Sequence, residues 1–311
     1  MARQSCIITK SMLKIIQAGT SLGTLSNRGT ELAPLALLSG GLAGALTKNR
    51  QNFEILEPIP DHEPTTELKR NLYNLDQLVE FNQALFGQIT DQVTDRDKVV
   101  TLGGDHSIGI GSLFASKTIW PEACVVYIDA HPDCSSPEET LSGYIHGMPL
   151  STVLGDGLYD RFEHPKYAYR EVMIVGAKDI DEAEQRYLAR HKIKVYSMDE
   201  VIERGIAMVT KEISDKIGHR PLHVSLDIDS IDGQFAPGTG IINQGGFNYR
   251  EISYLVRHLA ELQVRAIDLV EVNPSCDEDN KTVNLGVELI MALLGGEWSP
   301  YTKYMSGRQD H

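Results

Sequence analysis

The 311-residue chain lacks paired cysteines, an excess of basic residues, a membrane-length apolar run and internal linkers, and each lack removes a class of protein. Its four cysteines (Cys6, Cys124, Cys134, Cys276) stand far apart with no CxxC or CxxxC pairing, which fits neither a disulfide framework nor a thiolate zinc site. A reducing cytoplasm is the expected compartment. Lys and Arg number 29 against 43 Asp and Glu, a net charge of −14, and the acids are spread along the chain. Phosphate binding needs clustered bases, so a nucleic-acid partner is not expected, whereas a small cationic ligand is. The most apolar stretch, Pro34 to Leu46, is rich in Gly and Ala and too short to cross a bilayer, so no membrane partner is expected either. The first 30 residues carry Arg3, Lys10, Lys14 and Arg28 without an acid, as transit peptides do, yet Leu13 to Ile16 reads as a strand of the fold. With no repeat, low-complexity tract or linker, residues 1–311 read as one domain ending in a polar tail over 297–311.

What is present is alternation. Short runs rich in Val, Ile and Leu recur between amphipathic segments of helical length, the pattern of a single-domain, three-layer α/β/α sandwich around a mostly parallel sheet. The expected strands are Leu13 to Gln17, Phe53 to Leu56, Lys98 to Leu102, Ala123 to Ile128, Glu171 to Val175, Lys194 to Tyr196, Leu222 to Leu226 and Val264 to Val270. Leu68, Leu72, Leu75, Val79, Phe86 and Ile89 recur at three- or four-residue steps or sums of these, predicting one helical stripe that packs into the core. Further helices are expected around Ile252 to Leu259 and over Val283 to Leu294.

Reactive residues in such sheets gather on the loops beyond the carboxyl ends of the strands. Three polar segments fall there: Gly103-Gly104-Asp105-His106-Ser107, Asp129-Ala130-His131-Pro132-Asp133 and Asp227-Ile228-Asp229-Ser230-Ile231-Asp232. In an extended chain, side chains two apart face one way, so Asp129, His131 and Asp133 point together and Asp227 and Asp229 do likewise, with His106 as a sixth ligand. Four carboxylates and two imidazoles without a thiolate suit Mn²⁺ or a similar ion better than structural zinc, and bridging carboxylates let six side chains hold two ions. Asp-x-His and Asp-x-Asp pairs alone are common strand-end caps, but here no Lys or Arg lies in either cluster to neutralise the buried acids. Metal is the simplest counter-charge.

The chain resembles the arginase branch of the ureohydrolase superfamily, on GGDHS at 103–107, DAHPD at 129–133, SGYIHGMP at 142–149, SLDIDSID at 225–232 and DLVEVNP at 268–274. Gly29 to Pro34 and Gly245 to Glu251 extend the likeness from about residue 12 to residue 296. The resemblance implies two Mn²⁺ per chain, one on His106, Asp129, Asp133 and Asp227 and one on His131, Asp129, Asp227 and Asp229. It also implies a homo-oligomer, commonly a trimer or hexamer. Two such cations lower the pKa of water, so that hydroxide between them can attack the carbon of a guanidinium while Asp133 orients it. By the same resemblance His146 carries the proton traffic that a poor amine leaving group requires, and Glu271 pairs with the guanidinium.

Recognition of the rest of the substrate is where the chain departs from the pattern. Thr140 and Ser142 keep the family's hydroxyls, but Ser135 and Tyr144 replace asparagines, and Gly240-Ile241-Ile242 stands where Gly-Thr-Pro is usual. Asp181 and Glu184 match the acidic segment that meets an ammonium, although a charged run opening a helix is also an ordinary N-terminal turn, which leaves Glu184 open. His223 reads as a core histidine, and Asp105 and Asp232 as loop-bonding acids. The expected activity is hydrolysis of L-arginine to L-ornithine and urea. Hydrolysis of agmatine or a guanidino acid is the alternative, and a catalytically silent ligand-binding paralogue is disfavoured because all six metal positions are present.

Overall fold

The computed structural model describes residues 11–25 and 28–296. Arg3, Cys6, Lys10 and the polar tail fall outside the described residues.

Among the described residues ten strands form in chain order: β1 Leu13–Ala18, β2 Phe53–Ile55, β3 Leu68–Lys69, β4 Leu72–Tyr73, β5 Lys98–Gly103, β6 Cys124–Ile128, β7 Val172–Val175, β8 Lys194–Tyr196, β9 Leu222–Asp227 and β10 Val264–Val270. Eight of them build one sheet in the order β2-β1-β5-β10-β9-β6-β7-β8, and every pairing in it is parallel. These are the eight strands expected from the apolar runs. Residues alternate between two cores, as strands covered on both faces require. Leu222, Val224 and Leu226 of β9 face one core, with Ile267 and Leu269 of β10. Val125 and Tyr127 of β6 face the other.

Helices among the described residues cover these faces: α1 Ala33–Leu37, α2 Ala43–Lys48, α3 Leu75–Gln92, α4 Gly109–Ile119, α5 Pro149–Leu154, α6 Glu182–His191, α7 Met198–Arg204, α8 Ile206–Ile217, α9 Tyr249–Leu259 and α10 Lys281–Leu293. The apolar stretch from Pro34 is α1 and α2 joined by a wide turn at Gly41 (φ 118°), with Leu37, Leu42 and Leu46 fully buried in the first core. Among the described residues no helix is long and apolar enough to cross a membrane.

One expectation fails. Leu68 and Leu72 belong to an antiparallel hairpin, β3–β4, and not to the helical stripe, which starts at Leu75. Arg70, Asn71 and Asn74 all have left-handed backbone (φ 52°, 64° and 52°), which breaks the helical spacing, and Asn74 Oδ1 accepts the Thr65 N–H at 2.6 Å. A three-residue step from Leu72 to Leu75 fits a tight reversal as well as a helical turn, so spacing alone misreads it.

The order of the strands positions the chemistry. Strands β5, β10, β9 and β6 are contiguous at the centre of the sheet, and the loops leaving their carboxyl ends carry His106, Glu271, Asp227 with Asp229, and Asp129 with Asp133. Pairs of residues far apart in sequence are thereby neighbours in space.

Candidate active site

The strand-end segments reach one place by different local devices. After β5, Gly104 runs so close to β1 that a Cβ there would lie 1.9 Å from the Thr20 carbonyl oxygen, so only glycine allows the approach. Asp105 then accepts the Gly23 N–H at 2.7 Å and the Ser107 N–H at 2.9 Å, which starts a short turn holding His106. After β6 the chain is not extended throughout as the spacing of two supposes, because Asp133 has φ 50°. After β9, Asp227 Oδ1 accepts the Asp229 N–H at 2.8 Å and winds a single turn. The five strand-end ligands converge through these turns as well as through strand periodicity.

His106 Nδ1 lies 2.9 Å from Asp129 Oδ2 and 3.1 Å from Asp133 Oδ2 and Asp227 Oδ2. His131 Nδ1 lies 3.4 Å from Asp129 Oδ1 and 3.1 Å from Asp229 Oδ2. Two groups with ligand atoms within 4.8 Å of one another result: His106, Asp129 and Asp227, and Asp129, His131 and Asp229. They share Asp129, one oxygen turned to each. All four aspartates are buried.

Burial, and the charges of Asp133 and Asp229, push the Asp129 carboxyl up to about 6. Burial, and the charges of Asp229 and Asp129, hold Asp227 well above the carboxylate range. Burial opposes charge on His106, but its carboxylate partners outweigh that and hold the imidazole well above its ordinary value. Such mutual distortion is the mark of a donor set in need of positive charge. His106 Nδ1 and Asp129 Oδ2 are also buried without a hydrogen-bond partner, although the apposed atoms are 2.9 Å apart. A cation between them would satisfy both, and imidazole with carboxylate is a donor set that binds divalent metal.

A cleft of about 220 Å³ opens over the two groups, and its floor includes His106, His131, Asp133, Asp227 and Asp229. Its walls bring together the other predicted residues: Ser135, Thr140, Ser142 and Tyr144 on one loop, His146 and Glu271 deeper, Asp181 and Glu184 opposite. Among the described residues no Lys or Arg lines it. Asp129, which the two groups share, is fully buried among these floor residues.

His146 Nδ1 is 3.3 Å from Glu271 Oε1, and the same oxygen accepts the His106 N–H at 2.8 Å. Burial alone would depress the His146 imidazole, but its contact with Glu271 and the nearby acids raise it to about 9, so it holds a proton near neutral pH. Glu271 sits at φ 61°, with its N–H bonded to the Gly104 carbonyl at 2.9 Å, which fixes the carboxylate relative to the His106 turn.

At Asp181 and Glu184 the structure shows how each carboxylate is held. Asp181 and Glu184 form a reciprocal cap on α6, Asp181 Oδ1 accepting the Glu184 N–H at 2.8 Å and Glu184 Oε2 the Asp181 N–H at 3.3 Å. Glu184 Oε1 accepts the Cys134 N–H at 3.1 Å. Both Glu184 oxygens are thus engaged with backbone, while Asp181 is exposed at the rim. His223 is bonded through Nε2 to Asp268 at 2.9 Å, as a core histidine should be, and Asp105 and Asp232 bond loop backbone. Sequence reasoning passed over Tyr127 and Ser225, which touch the ligands from below. Their signal was available in strand alternation, since each precedes an aspartate ligand by two residues.

A model of the arginase family matches residues 12–295. The chain belongs to the arginase family. The arginase of Bacillus subtilis is 33% identical over 276 residues, covering 87% of this chain and 93% of that protein. The structure of the arginase from Bacillus caldovelox superposes with a TM-score of 0.87 at 32% identity, over 93% of this chain and all of that one. The proclavaminate amidino hydrolase of Streptomyces clavuligerus is also similar, with a TM-score of 0.74 at 25% identity over 92% of this chain and 90% of that one. The protein is a hydrolase of the type that cleaves guanidino C–N bonds.

Proposed function

We propose that the protein hydrolyses L-arginine to L-ornithine and urea with two Mn²⁺ per chain, in the cytoplasm and as a homo-oligomer. The observation that carries this reading is the pair of His/Asp groups sharing Asp129 on the floor of a cleft that, among the described residues, no Lys or Arg lines. In this reading His106, Asp129, Asp133 and Asp227 hold one ion and His131, Asp129, Asp227 and Asp229 the other. Bound there, the ions would lower the pKa of water so that a nucleophile is available near neutral pH.

The chain's own residues do the remainder. Asp133 accepts a hydrogen bond from the attacking water and orients it. Glu271 attracts the guanidinium and keeps the proton on His146, whose imidazolium then delivers that proton to the departing amine. Asp181 takes the α-ammonium, and Ser135, Thr140, Ser142 and Tyr144 offer hydroxyls to the α-carboxylate. Glu184 acts through the backbone by fixing the Cys134 segment and the start of α6.

The likeness to an amidino hydrolase with a different named substrate keeps a second reading in play, because Ser135, Tyr144 and Ile241 line the cleft where the sequence departs from the arginase pattern. Urea release from L-arginine, agmatine and 4-guanidinobutyrate, measured on manganese-loaded protein, separates the two. L-arginine is expected to give the highest kcat/KM. Faster turnover of agmatine or guanidinobutyrate would overturn the arginase reading.

A further inference from the structure

Beneath the ligands lies a second polar layer that the reaction as described does not use. On β6, Tyr127 precedes Asp129 by two residues, and on β9, Ser225 precedes Asp227 by two, so each lies one step down the same face as a ligand. Tyr127 and Ser225 are paired in register across these strands, and both are fully buried. The Tyr127 hydroxyl donates to Asp133 Oδ2 at 2.8 Å. Its ring lies parallel to the His106 imidazole, with centroids 4.5 Å apart and planes 1° apart. Ser225 Oγ meets His106 Nε2 at 2.9 Å, which leaves Nδ1 as the ring nitrogen facing the three carboxylates.

We propose that Tyr127 is a positioning residue for the ion assigned to His106 and Asp133, pinning the carboxylate through its hydroxyl and the imidazole plane through its ring, with Ser225 fixing the imidazole from its other nitrogen. The inference rests on the two-ion reading of the cluster. A carboxylate oxygen has lone pairs enough to accept the phenol proton and still face a metal. Asp133 needs such an anchor more than its neighbours, because its left-handed backbone takes it out of the strand geometry that aligns Asp129 and Asp227. Tyr127 and Ser225 bond Asp133 and His106, the two ligands that this reading gives to one ion alone, so the effect falls on that ion.

Manganese titration of metal-stripped protein by calorimetry and equilibrium dialysis tests this, with the melting temperature of the metal-free forms measured alongside. Wild-type protein should take up two ions. Tyr127→Phe keeps the ring and removes the hydroxyl; it should weaken one ion by roughly 10- to 100-fold and leave the other unchanged, since outer-shell partners are typically worth that much in metal affinity. Its kcat should return toward the wild-type value at saturating manganese. Ser225→Ala, a smaller perturbation of the fold, should weaken the same single ion. Two ions bound by Tyr127→Phe as tightly as by wild type would overturn the proposal, as would equal weakening of both with a lowered melting temperature, the mark of a merely structural role. Fewer than two ions on the wild type would instead overturn the two-ion reading, and this inference with it.

Discussion

The floor and the rim of the cleft are built on different principles. On the floor and just above it, His106, Asp129, Asp133, Asp227 and Glu271 leave four adjacent strands whose register is fixed by a sheet buried on both faces. The rim is loop. Gly143 donates to Thr140 Oγ1 at 3.1 Å, Tyr144 donates to Ser142 Oγ at 3.2 Å, and the β3–β4 hairpin supports the segment through the Tyr73 N–H bond to the Gly143 carbonyl at 3.0 Å. Leu141 is fully exposed there, and Ser142 and Asp181 are exposed as well. The floor keeps charged groups where water cannot neutralise them, so it can hold metal and run one reaction. The rim can change residue by residue without touching that machinery, and it is where Ser135, Tyr144 and Ile241 stand in this chain.

If that division is right, substitutions on the floor should separate by what they hold. Asp129→Ala removes the one carboxylate facing both imidazoles. It should lose manganese at both sites and lower kcat/KM by about a thousandfold or more, followed by metal content and urea release together. His146→Asn should keep both ions and lower kcat by roughly a hundredfold, within the usual contribution of a positioned acid. A variant at His146 that kept full turnover would remove its proton role, and one that lost metal would move it into the floor proper.

A pH series sharpens the same contrast. Metal binds the deprotonated forms of Asp129, raised to about 6, and of Asp227 and His106, each held above its ordinary value by the crowded, buried cluster. Protons therefore compete with the ions, and manganese affinity should fall as pH drops from 7 to 5, approaching about tenfold per pH unit below 6 for the Asp129 proton. Dialysis against buffered manganese at each pH reads it directly. Affinity independent of pH over that range would mean that the acids bind already ionised.

The floor was legible in sequence for a physical reason. Buried strands demand runs of Val, Ile and Leu, and Asp129, Asp133, Asp227 and Asp229 stand out against those runs because a charge there needs a partner. All eight strands of the sheet, and the residues at their carboxyl ends, could be read that way. Tyr127 and Ser225 were passed over because a lone Tyr or Ser within an apolar strand carries no such demand; their two-residue spacing from Asp129 and Asp227 put them on the ligand face, and cross-strand pairing shows what each touches. The rim was less legible. Glu184 was half legible: a charged run opening a helix suggests the local cap with Asp181, but the bond to the Cys134 N–H, 50 residues earlier in the chain, is not written in it. The hairpin at Leu68–Tyr73 was hidden by spacing that a helix shares.

The smallest effect tests the rim by itself. Gly143 has φ +73°, and a Cβ there would lie 2.8 Å from the Asn71 carbonyl oxygen and 3.3 Å from the Tyr73 ring. Gly143→Ala should therefore push the loop off the hairpin, at a strain of about 1–3 kcal/mol if nothing moved. Because the loop is exposed and its hydroxyls bond only to neighbours within it, the displacement should stay local. KM for the preferred substrate is expected to rise by roughly three- to tenfold with kcat and bound manganese unchanged, the pattern of lost uniform binding. Steady-state kinetics with metal analysis decides it: a matching fall in kcat would show that loop and His146 move as one, since the Tyr144 ring meets the His146 imidazole edge-on at 5.9 Å, and the floor would then extend one residue layer further up the cleft than the strand ends.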